Sequence, residues 1–260
     1  MRILYLAVIF IILPLQNIYG QLELEELYYL RELEILKNNK VKEKITFVKI
    51  NNEFEKIKTE YFSNEGRIDS IKSVHPMWCS PCIFNTDGSL SKKWQTIKFE
   101  YQNNSRKTFY EDRFIEEEKK LLNINDILKL IYSRSSEVDT IKFGNTKSIT
   151  RYENSANIIS NSFLDSTQTI ILKTVLNYDK NYNILSKLYF TNYPNTTSNT
   201  ANNSYINYYF YNSDELRIKE ISEKLGINKC QITEFEYNSR CLLIKKKVDS
   251  EIFKIQYQYY

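Results

Sequence analysis

The sequence predicts a mainly β protein, in which an antiparallel sheet of hairpin repeats carries an N-terminal helix and a short helical insertion. The 260 residues include 21 Tyr and 14 Phe, and aromatic residues favour strands, as do the abundant β-branched ones. Asn, Asp and Ser separate the strand-like segments, because Gly and Pro, at 5 and 4 residues, are scarce. A unit of aromatic residue, polar turn and aliphatic residue also recurs along the chain, as repeated hairpins require.

Residues 1–20 are predicted to be a signal peptide. Arg2 gives a short positive start, residues 3–15 are apolar, and Gly20 offers a small residue for cleavage before Gln21. The apolar run is shorter than the ~20 residues of a spanning helix. An uncleaved N-terminal anchor is the alternative. We therefore expect an exported protein, extracellular or periplasmic, with no membrane span after cleavage.

Helical periodicity is predicted in two places. The segment 21–43 holds the N-terminal helix, predicted over residues 22–39, because leucines recur there at steps of three and four residues between charged ones. A second helical stretch interrupts the repeat domain (residues 44–260) near 111–133. Phe114, Leu121 and Leu122 mark its first part, and the second part carries the apolar residues Ile127, Leu128, Leu130 and Ile131. Strands are predicted in much of the remainder, including residues 45–50, 94–101, 169–178 and 184–193.

The internal repeat has a seven-residue frame. It begins with an aromatic residue, continues with Asn or Asp and two polar residues, often has Gly next, and ends with an aliphatic residue two positions later. Its clearest copies are FSNEGRI (62–68), FNTDGSL (84–90), YDKNYNI (178–184) and YNSRCLL (237–243). YNSDEL (211–216) fits with a one-residue slip, and YQNNS (101–105) is a weak sixth copy. The second residue starts the turn, and the fifth takes the positive φ that closes it.

This pattern resembles the YD (Rhs-type) repeat, whose core is Tyr-Asp-x-x-Gly-x-Leu. The resemblance implies a continuous antiparallel sheet of hairpins and an exported bacterial protein. The chain departs from the family because only Gly66 and Gly88 occupy the glycine position, whereas Cys241 stands there in the last copy. It is also too short for the toxin-enclosing shells of large family members, so that function is not expected of it.

Cysteine chemistry leaves two hypotheses. Cys79, Cys82, Cys230 and Cys241 are disulfide candidates with three possible pairings, since export places them in an oxidising compartment. The motif WCSPC also resembles the thioredoxin active site, which would make Cys79 and Cys82 the redox pair of a thiol–disulfide oxidoreductase. The turn residues 85–88 leave little room for the helix that such a motif needs. A zinc site is not expected, because the spacing of Cys230 and Cys241 is too wide for a second half-site.

No other catalytic residue, metal or cofactor is predicted. His75 is the single histidine, so His-dependent acid–base catalysis would rest on it alone. Nucleic-acid binding is not expected either, because 36 basic and 32 acidic residues are evenly mixed.

Aromatic residues, most of them tyrosines, are concentrated in the C-terminal half and provide the remaining functional indication. The residues are Tyr205, Tyr208, Tyr209, Phe210, Tyr211, Tyr257, Tyr259 and Tyr260. On the outer face of the sheet they would form a platform for carbohydrate or protein at the cell surface. Cross-strand packing is the alternative. The predicted function is a non-enzymatic exported protein, acting in ligand or protein binding or as a structural part of the cell envelope.

Overall fold

The computed structural model describes residues 19–74, 94–102, 105–110, 113–120, 123–133, 138–143, 146–153, 156–191, 204–226 and 229–260. These residues confirm the mainly β, antiparallel fold class. The helices are α1 (Tyr19–Asn38) and α2 (Ile124–Ser133). The strands are β1 (Val41–Ile50), β2 (Glu53–Phe62), β3 (Ile68–Ser73), β4 (Gln95–Gln102), β5 (Ser105–Tyr110), β6 (Arg113–Lys120), β7 (Val138–Phe143), β8 (Thr146–Glu153), β9 (Ile158–Leu164), β10 (Ile170–Tyr178), β11 (Ile184–Thr191), β12 (Tyr205–Tyr211), β13 (Arg217–Lys224), β14 (Lys229–Tyr237), β15 (Leu243–Val248) and β16 (Glu251–Tyr259).

The chain divides into two compact units. The terminal unit combines Leu30–Asn123 with Thr233–Tyr260, and the central unit combines Met1–Tyr29 with Ile124–Ile232. Helix α1 and strand β14 each contribute residues to both units.

In the terminal unit the strands follow the order β6-β5-β4-β3-β2-β1-β16-β15-β14. The last strand therefore pairs with the first, antiparallel, from Val48 opposite Phe253 to Val41 opposite Tyr259. Val48 and Ile57 pack with Val74 in a buried apolar cluster. Burial of apolar surface of this kind supplies most of the favourable free energy of folding.

In the central unit the order is β13-β12-β11-β10-β9-β8-β7. One face of this sheet is buried, and it carries Tyr152, Ile159 and Leu176 in a single cross-strand row. Leu27 of α1 and Ile127 of α2 are also buried in this unit. Because side chains alternate between faces along a strand, these rows define which residues share the buried face.

Among the described residues, five hairpin turns share one geometry, and we call them frame turns. The second residue of each frame accepts two backbone N–H groups through its side chain, and the second residues are Ser63, Asp165, Asp179, Asn212 and Asn238. The fifth residue has positive φ, and the fifth residues are Gly66, Gln168, Tyr182, Glu215 and Cys241. Its N–H donates to the carbonyl of the second residue. The side-chain acceptor of the second residue thus builds the turn even where glycine is absent.

The repeat prediction was right in outline and wrong at three places. The copy at Tyr211 has no slip, because Glu215 takes the positive φ at the fifth position. Residues 101–105 are not a copy, because Gln102 pairs with Ser105 and leaves room for a two-residue loop only. The turn around Asp165 went unrecognised. The copy at 84–90 lies outside the described residues.

The helix predictions also need correction. Residues 113–120 form strand β6 rather than the first part of a helical insertion, and α2 covers only the second part. The predicted N-terminal helix, 22–39, agrees with α1 at Tyr19–Asn38, but residues 41–43 of the segment assigned to it belong to strand β1.

Tyrosine hydroxyls tie neighbouring hairpins together. Tyr211 donates to the carbonyl of Ile184 at 2.9 Å, and Ile184 is the residue that ends the preceding frame. In the terminal unit, Tyr101 donates to Ile68 and Tyr257 to Leu243, each at 2.8 Å. All three acceptors occupy the seventh frame position. Of these three tyrosines only Tyr211 opens a frame, and there the aromatic residue of the repeat contributes a hydrogen bond as well as apolar area.

Candidate functional site

Strand β12 divides its aromatic residues between the two faces of the central sheet. Tyr205 lies opposite Tyr189, which lies opposite the buried Thr174, so Tyr205 belongs to the buried face. Tyr208 and Phe210 belong to the open face and are 37% and 44% exposed. Of the β12 aromatic residues named for the predicted outer-face platform, Tyr208 and Phe210 are therefore the two on the open face, and a binding role for them stays a prediction.

The buried face of β10–β13 carries a polar and aromatic group of residues that we call the tyrosine patch. Its members are Thr174 on β10, Lys187, Tyr189 and Thr191 on β11, Tyr205 and Asn207 on β12, and Ser222 and Lys224 on β13. Tyr189, Tyr205 and Asn207 are half-buried, and Lys224 is exposed. The patch is therefore partly open to solvent.

A stacked pair of rings occupies the centre of the patch. The ring centroids of Tyr189 and Tyr205 are 5.0 Å apart, and the ring planes differ by 23°. The stacking follows from the register, which places the two residues directly opposite each other on β11 and β12. Such a pair offers a rigid, flat apolar surface.

Hydrogen-bonding oxygens without partners surround this pair. Thr174 Oγ1, Thr191 Oγ1 and Asn207 Oδ1 are buried and have no hydrogen-bond partner among the described residues. Thr174 is 2% and Thr191 is 4% exposed. Leaving a buried polar atom unsatisfied costs about 1–3 kcal/mol. The patch therefore holds hydrogen-bonding capacity that the described part of the chain does not use.

The patch also carries positive charge. Lys187 lies opposite Asn207, and Lys224 lies opposite Tyr205. The acidic residue of the next row, Glu220, is 3.7 Å from the guanidinium of Arg217. The two lysines thus flank the stacked tyrosines while the nearby carboxylate is paired.

Arg217 itself is held between two aromatic rings. Its guanidinium carbon is 4.4 Å from the ring centroid of Tyr28 and 4.3 Å from that of Tyr209. Burial opposes the charged form, but the nearby tyrosines and Glu220 outweigh it and raise the pKa of Arg217. A permanently charged, stacked arginine is suited to fixing the middle of α1 on the sheet rather than to proton transfer.

In the terminal unit a partly buried group of charges attaches α1 to the sheet. Lys44 Nζ is 2.6 Å from Glu32 of the helix and 3.7 Å from Glu60, which is also 2.9 Å from Lys58. Burial opposes charge on Lys44, but the two carboxylates outweigh it and hold its pKa well above the usual value. Burial likewise opposes ionisation of Glu60, but Lys44 and Lys58 outweigh it and lower the pKa. Neither group titrates near neutral pH, so the arrangement is structural.

The predicted cysteine sites are only partly covered. Cys79, Cys82 and His75 lie outside the described residues. Cys230 is exposed and Cys241 is half-buried, and both are free thiols in the structure. A disulfide involving Cys79 or Cys82 stays a prediction. Among the described residues, no group of three or more His, Cys, Asp or Glu side chains is placed to hold a metal ion.

The C-terminal tyrosines agree with cross-strand packing. Besides the bond from Tyr257, the hydroxyl of Tyr260 donates to the carbonyl of Phe62. Cations lie over two of the rings, Arg240 at 5.4 Å from Tyr259 and Lys42 at 6.0 Å from Tyr260.

The tyrosine patch could not be found from sequence because it depends on which strands pair. The alternation of Tyr205 and Asn207 was its only visible signal.

No protein-family model matches the chain, and no curated protein matches it. Among solved structures the chain is similar to a porin-like protein from Bacteroides uniformis, with 7% sequence identity and a TM-score of 0.43. The alignment covers 84% of this chain and 98% of that one. A similarity of this size supports no inference about function. None of the described helices has both the length and the apolar character to cross a membrane.

Proposed function

We propose that this chain is an exported, non-enzymatic binding protein whose ligand occupies the tyrosine patch. The observation that supports the proposal is the set of three buried oxygens without partners around the Tyr189–Tyr205 stack. A fold retains unsatisfied buried polar groups at a cost, and such groups concentrate where a ligand completes the hydrogen bonding.

Export rests on residues 1–20 alone. The intact mass of the protein recovered from its native host tests it, with loss of the first twenty residues as the expected result. A mass that includes Arg2 would contradict the signal-peptide prediction.

As part of the same proposal, the chain is related to YD-repeat proteins, and the geometry of its hairpins supports that relationship. The frame turns share their second and fifth positions, and the tyrosine at the first position of one frame bonds to the seventh residue of another. A role as a structural part of the cell envelope is compatible with such a sheet. The oxidoreductase hypothesis stays a prediction, tested by turnover of a disulfide substrate by wild type and Cys79→Ser.

Binding is tested with two variants of the same strand. Tyr205→Ala removes half of the stacked pair, whereas Tyr208→Ala removes an aromatic residue of the open face. Both are compared with wild type on an array of saccharides and of cell-surface proteins, after circular dichroism shows that each is folded. We expect Tyr205→Ala to abolish binding and Tyr208→Ala to retain it. The opposite result, or binding by none of the three proteins, would contradict the proposal.

A further inference from the structure

We infer that a row of cationic residues on the sheet of the terminal unit binds a phosphate group. We call it the arginine row, and it crosses four neighbouring strands: Arg67 directly before β3, Tyr101 on β4, Arg106 on β5 and Lys119 on β6. The tyrosine patch belongs to the other compact unit, so phosphate binding here is independent of the proposed function.

Arg106 is the residue of the row that lacks a counter-charge. It is half-buried, and its guanidinium carbon lies 5.0 Å from the ring centroid of Phe99. Within the described part of the chain its guanidinium forms no ion pair and no hydrogen bond, and Nε is buried without a partner. The two terminal nitrogens are not buried, so they can reach a bound molecule. Because arginines that lose solvent are ordinarily paired with an anion, this position favours an anionic ligand.

The neighbours of Arg106 in the row add positive charge. In the register Lys119 lies directly opposite Arg106 on one side, and like charges in such a position destabilise a sheet. Tyr101 lies opposite Arg106 on the other side, and the guanidinium carbon of Arg67 is 5.3 Å from the Tyr101 ring centroid. Burial raises the pKa of Tyr101, and the charges of Arg106 and Arg67 oppose that rise. Both guanidinium groups therefore lie close to the same ring, and the Tyr101 hydroxyl already donates to the carbonyl of Ile68.

The carboxylates nearby leave the two guanidinium groups able to bind. Glu65 is 3.4 Å from Nε of Arg67, but the two side chains are 70% and 53% exposed. Exposed pairs of this kind contribute little, and the terminal nitrogens of Arg67 take no part in it. Asp69, which the structure also describes, is ion-paired to neither arginine. In the register Glu117 of β6 lies in the neighbouring row rather than opposite Arg106.

The placement of the two arginines selects phosphate over carboxylate. They lie on either side of β4, so with strands spaced ~4.8 Å apart their Cα atoms are separated by about 10 Å. Their long side chains would reach a shared anion from different directions. A carboxylate presents two oxygens in one plane and is satisfied by a single guanidinium fork. A phosphate monoester presents three strong acceptor oxygens and carries about −1.5 to −2 charges at neutral pH, so it can accept from both arginines.

The experiment titrates the full chain with soluble and with lipid-borne phosphate. The soluble probes are inorganic phosphate and methyl phosphate, measured by calorimetry beside acetate as the carboxylate control. The lipid probe is a vesicle of phosphatidylcholine that contains phosphatidic acid, measured by co-sedimentation beside vesicles of phosphatidylcholine alone. We expect at least one phosphate probe to bind about ten-fold more tightly than its control, with affinity that falls as salt rises.

Substitutions on the two faces of the sheet locate the effect. Arg106→Gln is expected to weaken phosphate binding about ten-fold, because charge-assisted hydrogen bonds are lost. Arg67→Gln should weaken it as well, and because Arg67 is exposed this second variant tests the row even if Arg106→Gln does not fold. Lys98→Gln removes the same charge from an exposed position on the opposite face of β4 and should leave the affinity unchanged. Circular dichroism and thermal unfolding verify that each variant is folded.

Each outcome supports or overturns the inference. Binding that is weakened in the arginine variants and kept in Lys98→Gln would support it. Binding of the soluble probes would then assign a free phosphate compound, and binding of the vesicles alone would assign a lipid headgroup. Equal affinity for phosphate and its control, equal losses in all three variants, or no binding of any probe would overturn it. Tyr205→Ala should bind phosphate as wild type does, so the proposed function and the phosphate site can fail separately.

Discussion

Gly66 is expected to be the least replaceable residue among the frame turns. A Cβ atom added to it would lie 2.5 Å from Cβ of Lys37 in α1 and 3.2 Å from the Cα of that residue. The first distance is far below van der Waals contact, and the backbone of a helix cannot move away easily. Gly66 also has a φ of +77°. An L-residue such as alanine is disfavoured in that region by about 1–2 kcal/mol.

The substitution Gly66→Ala therefore combines two penalties. The left-handed backbone contributes about 1–2 kcal/mol, and overpacking against Lys37 contributes about 1–3 kcal/mol more. The expected loss of stability is about 2–5 kcal/mol, which lowers the Tm of a chain of this size by roughly 4–20 °C. Urea unfolding of the purified protein, followed by circular dichroism, measures the free-energy difference directly.

Gln168 provides the matched control. It occupies the same frame position with φ of +65°, is exposed and carries a side chain already. Gln168→Gly relieves the left-handed strain but adds conformational entropy to the unfolded chain, which offsets part of the gain. The net effect should stabilise the protein by about 0.5–1 kcal/mol. The reasoning would be refuted if the free energy of unfolding lost in Gly66→Ala were no larger than that gained in Gln168→Gly. The contact with Lys37 would then contribute nothing.

Three further predictions concern the charges, the tyrosines and the thiols. Lys44→Met leaves Glu60 buried with one lysine fewer and should cost about 3–5 kcal/mol at neutral pH. Because the pKa of Glu60 is lowered in the folded protein, its contribution to folding stability is present above its unfolded pKa and is lost as pH falls through the folded value. The urea midpoint of the variant should therefore fall less steeply with acid than that of wild type. Parallel pH curves for the two proteins would contradict the assignment. Tyr211→Phe removes the bond to the Ile184 carbonyl and should cost about 1 kcal/mol in the same urea experiment, so an unchanged midpoint would count against a stabilising bond. A thiol reagent should modify Cys230 in the native protein within the mixing time, since this thiol is exposed, and an unreactive thiol would indicate a disulfide to a residue outside those described.

The repeat could be predicted because its turns depend on local chemistry. Asp179 and Asn238 accept the backbone N–H groups two and four residues ahead of them, and such turns need no distant contact. The turn at Asp165 has the same chemistry but follows Leu164 rather than an aromatic residue, so a pattern that required an aromatic residue missed it. The apparent slip at Tyr211 had a similar cause, since Leu216 stands one position early for an aliphatic residue while Glu215 still closes the turn.

The candidate site was beyond prediction because it depends on pairing between strands. Alternation along β12 separates Tyr205 from Tyr208, and that separation is visible in the sequence. Nothing local states that Tyr205 faces Tyr189, or that Thr174 follows on the next strand. A register shift of one residue in β12 would move Tyr205 and Asn207 to the other face. The β10–β11 and β12–β13 pairs each also carry a register shift beside their frame turn, which the sequence does not reveal.

A substitution at one of the unsatisfied oxygens of the patch can distinguish a binding surface from an ordinary packing defect. Thr174→Val keeps the shape of the side chain and removes the buried hydroxyl, so it should stabilise the unliganded protein by about 1 kcal/mol. If the patch binds a ligand, the same substitution removes a hydrogen-bonding partner and weakens binding, because stability and function then oppose each other at this position. Urea unfolding and saccharide titration of one variant measure both effects. A gain in stability with unchanged affinity would assign Thr174 to the core alone, and a loss of stability would show that its hydroxyl is already satisfied in solution.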